Sequence, residues 1–492
     1  MNKLLSRFIL VTSILLFASV KARQSAEDEA ARLVSAMLGD TPIVADLRQL
    51  TDEIGGRATG SEANLKSVEW ALAKFKEAGV EARKEGFMMP ALWRERSVKI
   101  EITGAANFSP AAACMPFSSG TPATGLTAAL IDGGFGADDD FKRLGAAAKG
   151  AFVLIETHEL LDLEGLFKEY NEGARIEKRA FAAGVAGVVY TGSRPRNVLY
   201  RHNASLGYNN EHPLLVMERD AGLRCLRLLR AGKTLDMTAT IDVVSGPAYE
   251  SYNVVGEIKG TKKPEEFVVI GAHLDSWELG QGALDNGCNV ALVIDLARQI
   301  KRLELKPLRT IRFALFNGEE QGLIGSWGYC KTHADELDRT VMASSYDIGT
   351  GRITGFFTGG RPELAAATTK ALKSVEGLGP FMQIDVPIVG TDNFDFMMEG
   401  VGNLVANQES ANYGPNYHAG SDTFDKVDLK QLRLNAAIAA AVTYGFATME
   451  VNWKRQTRAE IEALMNATDL VAQMKSFNVW DDWANGKRGR QK

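Results

Sequence analysis

Six side chains in the second half of the chain are of the types that bind divalent metal ions and transfer protons. They are His273, Asp285, Glu319, Glu320, Asp347 and His418. Two metal ions about 3.5–4 Å apart need nitrogen and oxygen ligands and one carboxylate short enough to bridge them. Asp285 is the candidate bridge, and Glu319 is left over as a base. If these residues converge, the chain is predicted to be a metal-dependent hydrolase.

Three of these positions directly follow short apolar segments that are typical of buried strands in a parallel sheet. The segments are 267–272 before His273, 310–316 before the Glu319–Glu320 pair, and 341–346 before Asp347. Sites in open α/β sheets form outside the carboxyl ends of the strands, so this repeated placement favours one common pocket. Asp285 lies in a glycine-rich loop before a helical pattern at 290–300, and His418 comes from a later loop.

Taken singly, these residues have ordinary structural explanations. A lone histidine is more often structural than a ligand, and a Glu-Glu pair is common on a solvated surface. The joint occurrence of all six at strand ends and in glycine-rich turns favours the metal site instead.

The residues around these positions resemble the motifs of a known family. The segments that carry the resemblance are 271–277, 280–285, 319–322 and 417–423. They are similar to the di-zinc exopeptidases that include bacterial leucyl aminopeptidase, and within that family to the carboxypeptidase Q (plasma glutamate carboxypeptidase) branch. The resemblance covers nearly all of residues 250–450.

The resemblance implies two zinc ions and a role for each candidate ligand. His273 and Asp347 would hold one ion, and Glu320 and His418 would hold the other. Asp285 would bridge the two ions. All five positions carry residues that can bind metal, which argues against an inactive relative.

The resemblance also implies three residues that act on the reaction or on a ligand. Glu319 would be the general base and acid, and Asp275 would orient an imidazole ligand, as metal-bound histidines usually require. Tyr417 would donate a hydrogen bond to the oxyanion. One departure is that Asn286 follows the bridging aspartate, where relatives often carry a second Asp, Ser or Pro. By analogy with the family, the Asp285–Asn286 bond is expected to be cis.

The fold class predicted is α/β. The resemblance implies a three-layer zinc-exopeptidase fold, in which helices flank a mixed central sheet. Residues 116–247 differ from their surroundings because glycine-rich turns separate short apolar strands, and they resemble an inserted β-rich protease-associated domain, with an unrelated β-rich spacer as the alternative. The predicted organisation is a signal peptide (1–22), an N-terminal catalytic part (23–115), the inserted domain (116–247) and a C-terminal catalytic part (248–492). A strand predicted at 97–103 is assigned to the catalytic sheet.

The N-terminus has the pattern of a signal peptide. Lys3 and Arg7 precede an apolar stretch at 8–20, and small residues predict cleavage near Ala22. The stretch is short for a membrane span, and an uncleaved anchor is the alternative. We therefore expect an exported protein, periplasmic or secreted, without stable membrane insertion.

The composition is that of an ordinary globular protein, with 45% hydrophobic and 24% charged residues. The formal net charge is −5, and loss of Lys3, Arg7 and Lys21 with the leader would make it −8. Nucleic acid is therefore not an expected partner. The four cysteines lack metal-ligand spacing, and an exported chain could carry one or two disulfides.

The remaining histidines and some arginines are expected to be structural or exposed. They are His158, His202, His212, His333, Arg194, Arg196 and Arg361. The basic segment from Gly486 onward is expected to fray.

The sequence thus predicts an exported di-zinc exopeptidase, either an aminopeptidase or a carboxypeptidase/dipeptidase. It would hydrolyse peptide bonds of short peptides or dipeptides through a metal-bridging water and the base Glu319. Two alternatives are a non-catalytic binding or receptor-like protein with the same fold, and a glutaminyl cyclase with one zinc ion. Metal content separates the first alternative from the enzyme. A homodimer is compatible with the sequence.

Overall fold

The computed structural model describes residues 28–202 and 207–491. The predicted signal peptide and its cleavage site near Ala22 lie outside these residues. Within them, no helix combines the length and the apolar character needed to cross a membrane.

The described part of the chain contains both strands and helices, and its last elements are all helical. Its strands, in chain order, are β1 (Glu81–Met89), β2 (Leu92–Gly104), β3 (Ala112–Cys114), β4 (Leu126–Asp132), β5 (Phe152–Ile155), β6 (Gly187–Thr191), β7 (Leu214–Met217), β8 (Leu235–Gly246), β9 (Tyr249–Ile258), β10 (Lys263–His273), β11 (Arg309–Phe316), β12 (Thr340–Ser345), β13 (Ile353–Phe357) and β14 (Asn403–Gln408). Its α-helices are 28–38, Ile43–Arg48, Glu62–Glu77, Asp138–Leu144, Leu163–Ala182, Arg219–Arg230, Cys288–Arg302, Ile324–Thr332, Pro362–Ala371, Asn393–Met398, Tyr413–Asn416, Leu429–Thr448, Arg458–Ala467, Leu470–Ser476 and Trp480–Ala484.

A mixed seven-stranded sheet forms the centre of the fold, in the order β1-β9-β11-β10-β12-β14-β13. The inner strands β11, β10, β12 and β14 pair in parallel, whereas the outer pairs are antiparallel. His273 lies opposite Phe316 across β10 and β11, and Gly271 lies opposite Ser345 across β10 and β12. The carboxyl ends of these three strands therefore meet at one edge of the sheet.

Helices cover both faces of the central sheet. Val268 and Ile270 of β10 belong to the hydrophobic cluster that includes the helix Leu429–Thr448. Val269, between them, packs in a different cluster that includes Tyr329. This alternation places successive strand residues on opposite faces, and both faces are buried. The predicted three-layer α/β fold is confirmed.

A second mixed sheet of seven strands has the order β2-β8-β4-β5-β6-β7-β3. The chain enters this sheet from β1 into β2 and returns from β8 into β9. The strand β1 pairs antiparallel with β9 in the central sheet, and β2 pairs antiparallel with β8 in the second sheet. The helices Leu163–Ala182 and Arg219–Arg230 pack on this sheet. Residues 92–246, which contain the second sheet, are called the insert from here on.

The strand predicted at 97–103 forms, but its predicted place in the catalytic sheet is wrong. It is part of β2, which pairs with β8 in the second sheet, and Ile100 and Ile102 point into the core of that sheet. An alternating apolar pattern shows that one face of a strand is buried, but it does not show which sheet buries that face.

The prediction that the chain frays from Gly486 onward is also wrong. Arg488 is 2% exposed, and its guanidinium pairs with Asp395 at 2.7 Å. The same group donates hydrogen bonds to the carbonyls of Gly322 and Leu323 at 3.1 and 3.0 Å. The basic end of the chain is therefore tied to a turn of the catalytic sheet.

The four cysteines all lie in described residues, and they are buried, unpaired thiols. The disulfides that an exported chain could carry are therefore absent among them. Cys288 lies at the start of the helix Cys288–Arg302, where its thiol donates to the carbonyl of Leu284 at 3.4 Å.

Candidate metal centre

The strand ends deliver four of the six candidate residues to one place. His273 is the last residue of β10, and Asp347 lies two residues beyond β12. The pair Glu319–Glu320 lies in the turn that follows β11. Because β10, β11 and β12 are parallel neighbours, these side chains share one edge of the sheet.

His273, Asp285 and Asp347 form one group of potential metal ligands. The Nε2 atom of His273 lies 3.0 Å from Oδ1 of Asp347 and 3.1 Å from Oδ1 of Asp285. All three side chains are buried. One imidazole nitrogen and two carboxylate oxygens are a donor set that suits zinc.

Asp285, Glu320 and His418 form a second group. The Nε2 atom of His418 lies 2.7 Å from Oε2 of Glu320 and 3.4 Å from Oδ2 of Asp285. The two oxygens of Asp285 thus face different groups. This is the arrangement that a carboxylate bridging two ions requires.

The centre buries more negative charge than its protein partners neutralise. Burial raises the pKa of Glu319 and of Glu320 well above the usual range, and the carboxylates of Asp347 and Asp285 raise it further. Oδ2 of Asp285 and Oε1 of Glu320 are buried without a hydrogen-bond partner. Such oxygens are costly unless a cation or a donor compensates them. The residues present therefore fit two divalent cations.

The two imidazoles respond differently to this environment. Burial lowers the pKa of both rings, but the carboxylates of Asp347 and Glu319 outweigh it for His273, whose pKa lies well above its usual value. Burial dominates for His418, against the opposing effect of Asp285, and its pKa falls to about 4. His418 is therefore neutral at neutral pH, which is the form that binds metal.

Asp275 contacts His273 in a way that the sequence did not predict. The backbone carbonyl of Asp275 lies 3.0 Å from Nδ1 of His273, whereas its carboxylate Oδ1 lies 3.8 Å away. The hydroxyl of Thr59 donates to the other carboxylate oxygen at 2.7 Å. The main chain at Asp275 thus orients the imidazole most directly.

Arg57 holds together the two loops that carry His273 and Asp285, and the sequence analysis missed it. Its guanidinium is completely buried and donates to the carbonyls of Leu274, Gln281 and Gly282 at 2.7–2.9 Å. A single arginine in a polar N-terminal segment carries no periodic signal. Its structural role follows from its hydrogen bonds to carbonyls more than 200 positions away, which the sequence does not show.

Asp422 fixes the backbone of the candidate bridge. Its carboxylate accepts from the amides of Leu284 and Asp285 at 2.7 and 3.1 Å. Burial raises its pKa to about 7. The next peptide bond, Asp285–Asn286, is cis, as analogy with the family led us to expect, and the Asn286 side chain donates to the carbonyl of Tyr346 at 2.8 Å.

Glu319 faces a small cavity of about 60 Å³ beside the two groups of ligands. Tyr170, Tyr417 and Phe477 also line this cavity. Glu320 is 4% exposed and contacts His418, whereas Glu319 is partly exposed. Both glutamates line the cavity, but Glu320 is engaged with His418 and Glu319 is the more exposed of the two.

Tyr417 stacks on the imidazole of His418 with ring centroids 3.7 Å apart. Its hydroxyl lies 2.6 Å from the hydroxyl of Tyr170, a residue of the insert helix Leu163–Ala182. Tyr170 is a second residue that the sequence analysis missed. An aromatic side chain on an amphipathic helix normally indicates core packing, so no local signal distinguished it.

The other histidines lie outside both groups of ligands. His158 is exposed and His212 is partly buried, while His202 and His333 are buried. His333 lies between the carboxylates of Glu85 and Glu336. The expectation that these histidines are structural or exposed agrees with this placement.

Two of the three arginines expected at the surface are buried. Arg194 pairs with Glu169 at 2.8 Å, and Arg361 pairs with Glu363 at 2.8 Å. Arg196 is exposed, as expected. A charged side chain can be buried where a partner compensates it, and the partner cannot be identified from the residue's own position.

Two groups of potential ligands that share one carboxylate, with a further glutamate facing a cavity, form a candidate dinuclear centre with the donor set that hydrolases use. The centre lies at the carboxyl edge of a three-layer α/β fold.

Residues 253–443 match the family model of peptidase family M28. Carboxypeptidase Q of Xenopus laevis is 27% identical over 409 residues, which are 82% of this chain and 85% of that protein. Aminopeptidase YwaD of Bacillus subtilis is 24% identical over 450 residues, 87% of this chain and 89% of its own length. The crystal structure of a peptidase M28 precursor from Shewanella amazonensis has a TM-score of 0.80 at 27% identity, covering 88% of this chain and 98% of that chain.

The chain is similar to peptidase family M28 in both sequence and fold. It is an enzyme of the metallo-exopeptidase class, and the resemblance inferred from its motifs is confirmed. The zinc aminopeptidase BSAP from Bacillus subtilis shares the fold, with a TM-score of 0.65 at 21% identity over 84% of this chain and 96% of that chain.

Proposed function

We propose that the protein is an exported di-zinc exopeptidase that hydrolyses short peptides or dipeptides. The observation that carries the proposal is the placement of Asp285, whose Oδ1 faces His273 and whose Oδ2 faces His418. In this proposal, His273 and Asp347 hold one zinc ion, and Glu320 and His418 hold the other. The predicted signal peptide and an extracytoplasmic location belong to the same proposal.

When bound, two zinc ions would lower the pKa of a coordinated water and polarise the scissile carbonyl. Glu319 accepts the proton of the attacking water and passes it to the departing amine. Burial and neighbouring carboxylates raise the pKa of Glu319, which makes it a stronger base than an exposed glutamate. Tyr417 lines the same cavity, and in this proposal its hydroxyl donates to the developing oxyanion.

The small cavity supports short substrates. Tyr170 and Phe477, from two different parts of the chain, line the cavity of about 60 Å³ beside the centre. We assign the insert to the protease-associated class predicted for residues 116–247, with its start moved to the beginning of β2. In this role, Tyr170 would be the residue through which the insert contacts the substrate.

The two alternatives predict different metal contents and products. A receptor-like relative needs no paired ions, whereas this chain gathers five ligand side chains and leaves buried oxygens without partners. A glutaminyl cyclase with one zinc ion does not need a second group of ligands. The presence of both groups of potential metal ligands favours a hydrolase over a cyclase with one zinc ion.

The function is tested by metal removal and by the choice of substrate. Exhaustive chelation of the purified protein is expected to abolish dipeptide hydrolysis, and two equivalents of Zn²⁺ are expected to restore it. Dipeptides with a free or blocked amine, and with a free or blocked carboxylate, then identify the end that is recognised. Undiminished hydrolysis after chelation, or cyclisation of an N-terminal glutamine without hydrolysis, would reject the proposal.

A further inference from the structure

The two candidate imidazole ligands take their hydrogen-bond partners from different parts of the molecule. Nδ1 of His273 lies 3.0 Å from the carbonyl of Asp275, two residues away on the same loop. Nδ1 of His418 lies 3.2 Å from the carbonyl of Arg201, which is 217 positions earlier and belongs to the insert. One metal group is thus supported within the catalytic part, and the other depends on the insert.

A short antiparallel ladder joins the insert to the loop that carries His418. The amide of Arg201 donates to the carbonyl of His418 at 3.0 Å, and the amide of Gly420 donates to the carbonyl of Leu199 at 2.9 Å. Tyr200 and Ala419 form the bridge between them. Insert backbone therefore pairs with His418 itself and with the two residues that follow it.

The loop at His418 needs such support because of its backbone conformation. His418 has a φ of 55°, in the left-handed region that a non-glycine residue rarely adopts. Residues in this conformation persist when the surrounding structure holds them. The ladder from the insert supplies hydrogen bonds to the carbonyl and the imidazole of this strained residue.

The Arg201 side chain anchors the ladder to both parts of the molecule. Its guanidinium is 1% exposed and pairs with Glu95 of the insert at 3.0 Å and with Glu278 of the catalytic part at 2.8 Å. It also donates to the carbonyl of Cys114 at 2.5 Å. Glu278 lies on the chain segment between His273 and Asp285, so the same arginine touches the loop that supplies the other ligands.

We propose that Arg201 is a positioning residue for the metal ion held by Glu320 and His418, and that the insert thereby sets the affinity of that ion but not of its neighbour. The inference rests on the proposed dinuclear function. It makes the two metal sites unequal, because the site of His273 and Asp347 has no comparable contact with the insert among the described residues. Loss of a group that orients a metal-bound histidine typically weakens metal binding 10–100-fold.

The test compares Arg201→Met with Arg230→Met. Arg230 also pairs with two carboxylates of the insert, Asp132 and Glu156, but lies on its exposed side. Competition with a chromophoric chelator measures the affinity of the apo-proteins for each of two Zn²⁺ equivalents. Arg201→Met keeps the carbonyl that orients His418 but removes its side-chain anchor, so we expect one equivalent to bind more weakly, by about 10-fold, the lower end of the range for loss of an orienting group, and the other to bind as in the unaltered protein. For Arg230→Met, we expect both affinities to stay unchanged.

Two further variants keep the test decisive if Arg201→Met fails to fold. Glu278→Gln retains the arginine but weakens one anchor, and it should weaken the same single equivalent to a smaller extent. In a His418→Ala background, the affinity of the remaining equivalent should be the same with or without Glu278→Gln. Equal weakening of both equivalents, or unchanged affinities in both variants, would overturn the positioning role. An unaltered protein that binds no zinc would instead reject the proposed function itself.

Discussion

At the residue scale, adjacent side chains acquire different tasks from their surroundings. Glu319 and Glu320 follow the same strand, and both have a pKa well above the usual range because desolvation and neighbouring carboxylates disfavour their charged forms. Glu320 contacts His418, whereas Glu319 opens onto the cavity. The residue that can exchange protons with a substrate is therefore the one that is not engaged with a ligand.

Replacing Glu319 with glutamine should separate proton transfer from metal binding. We expect Glu319→Gln to lower kcat about 10²–10⁴-fold, because it removes the proton carrier. Zinc content, measured by elemental analysis of the purified protein, should stay at two. Glu320→Gln is the matched control, since the neighbouring change should remove a ligand and lower the zinc content. Turnover of Glu319→Gln at the rate of the unaltered enzyme would remove Glu319 from the mechanism.

At the scale of single elements, the sequence predicted the strands that carry the centre. Buried parallel strands are continuous apolar segments in the sequence. The polar residues that follow these segments therefore indicated where β10, β11 and β12 end. The strand at 97–103 was found but assigned to the wrong sheet, because its alternation does not identify its partner. The burial of Arg194 was missed for a similar reason, since Glu169 lies on another element.

The Glu169–Arg194 pair fastens the helix Leu163–Ala182 to the segment that leads to Arg201. Burial opposes ionisation of Glu169, but Arg194 and His202 outweigh it and lower the pKa of Glu169 to about 2. Because this pKa lies below its value of about 4.5 in the unfolded chain, the pair stabilises the fold fully above pH 4.5. The stabilisation is lost as the pH falls from 4.5 towards 2.

Glu169→Gln should therefore destabilise the protein in a pH-dependent way. Near pH 7 we expect a loss of about 3 kcal/mol in the free energy of unfolding, because Arg194 stays buried without its partner. The loss should shrink as the pH falls below 4.5, and urea unfolding at several pH values measures it. Glu172→Gln is the control on the same helix, because the Glu172–Arg175 pair is exposed and should contribute less than about 1 kcal/mol. An equal effect of both changes at pH 7 would contradict the assignment.

At the scale of the whole molecule, the centre depends on regions that are far apart in the chain. Arg57 comes from the N-terminal part, Tyr170 and Arg201 come from the insert, and Phe477 comes from the C-terminal helices. Each acts through a contact with a distant backbone group, ring or cavity. Such contacts leave no periodic pattern, so the ligands could be predicted from the sequence and most of the residues that hold them could not.

Arg488 links the end of the chain to the turn that follows Glu320. Its guanidinium pairs with Asp395 where both side chains are at most 2% exposed, and it donates to the carbonyls of Gly322 and Leu323. Arg488→Met leaves the buried carboxylate of Asp395 with the Ser326 hydroxyl but without its cation, so we expect the free energy of unfolding to fall by about 3 kcal/mol, measured by urea unfolding.

Arg488→Met should also lower the activity of the candidate metal centre. Because the turn loses two hydrogen bonds, Arg488→Met should lower kcat/KM on a dipeptide even at temperatures where the protein stays folded by circular dichroism. Lys487→Met is the matched control, since it removes a neighbouring cation whose side chain is exposed. It should leave the free energy of unfolding within about 0.5 kcal/mol of that of the unaltered protein, and kcat/KM unchanged. A loss of stability with full activity would mean that the C-terminus supports the fold without shaping the turn. A variant with unaltered stability would instead show that the buried ion pair is replaceable by packing, since methionine can fill the space between the rings of Trp327 and Phe394.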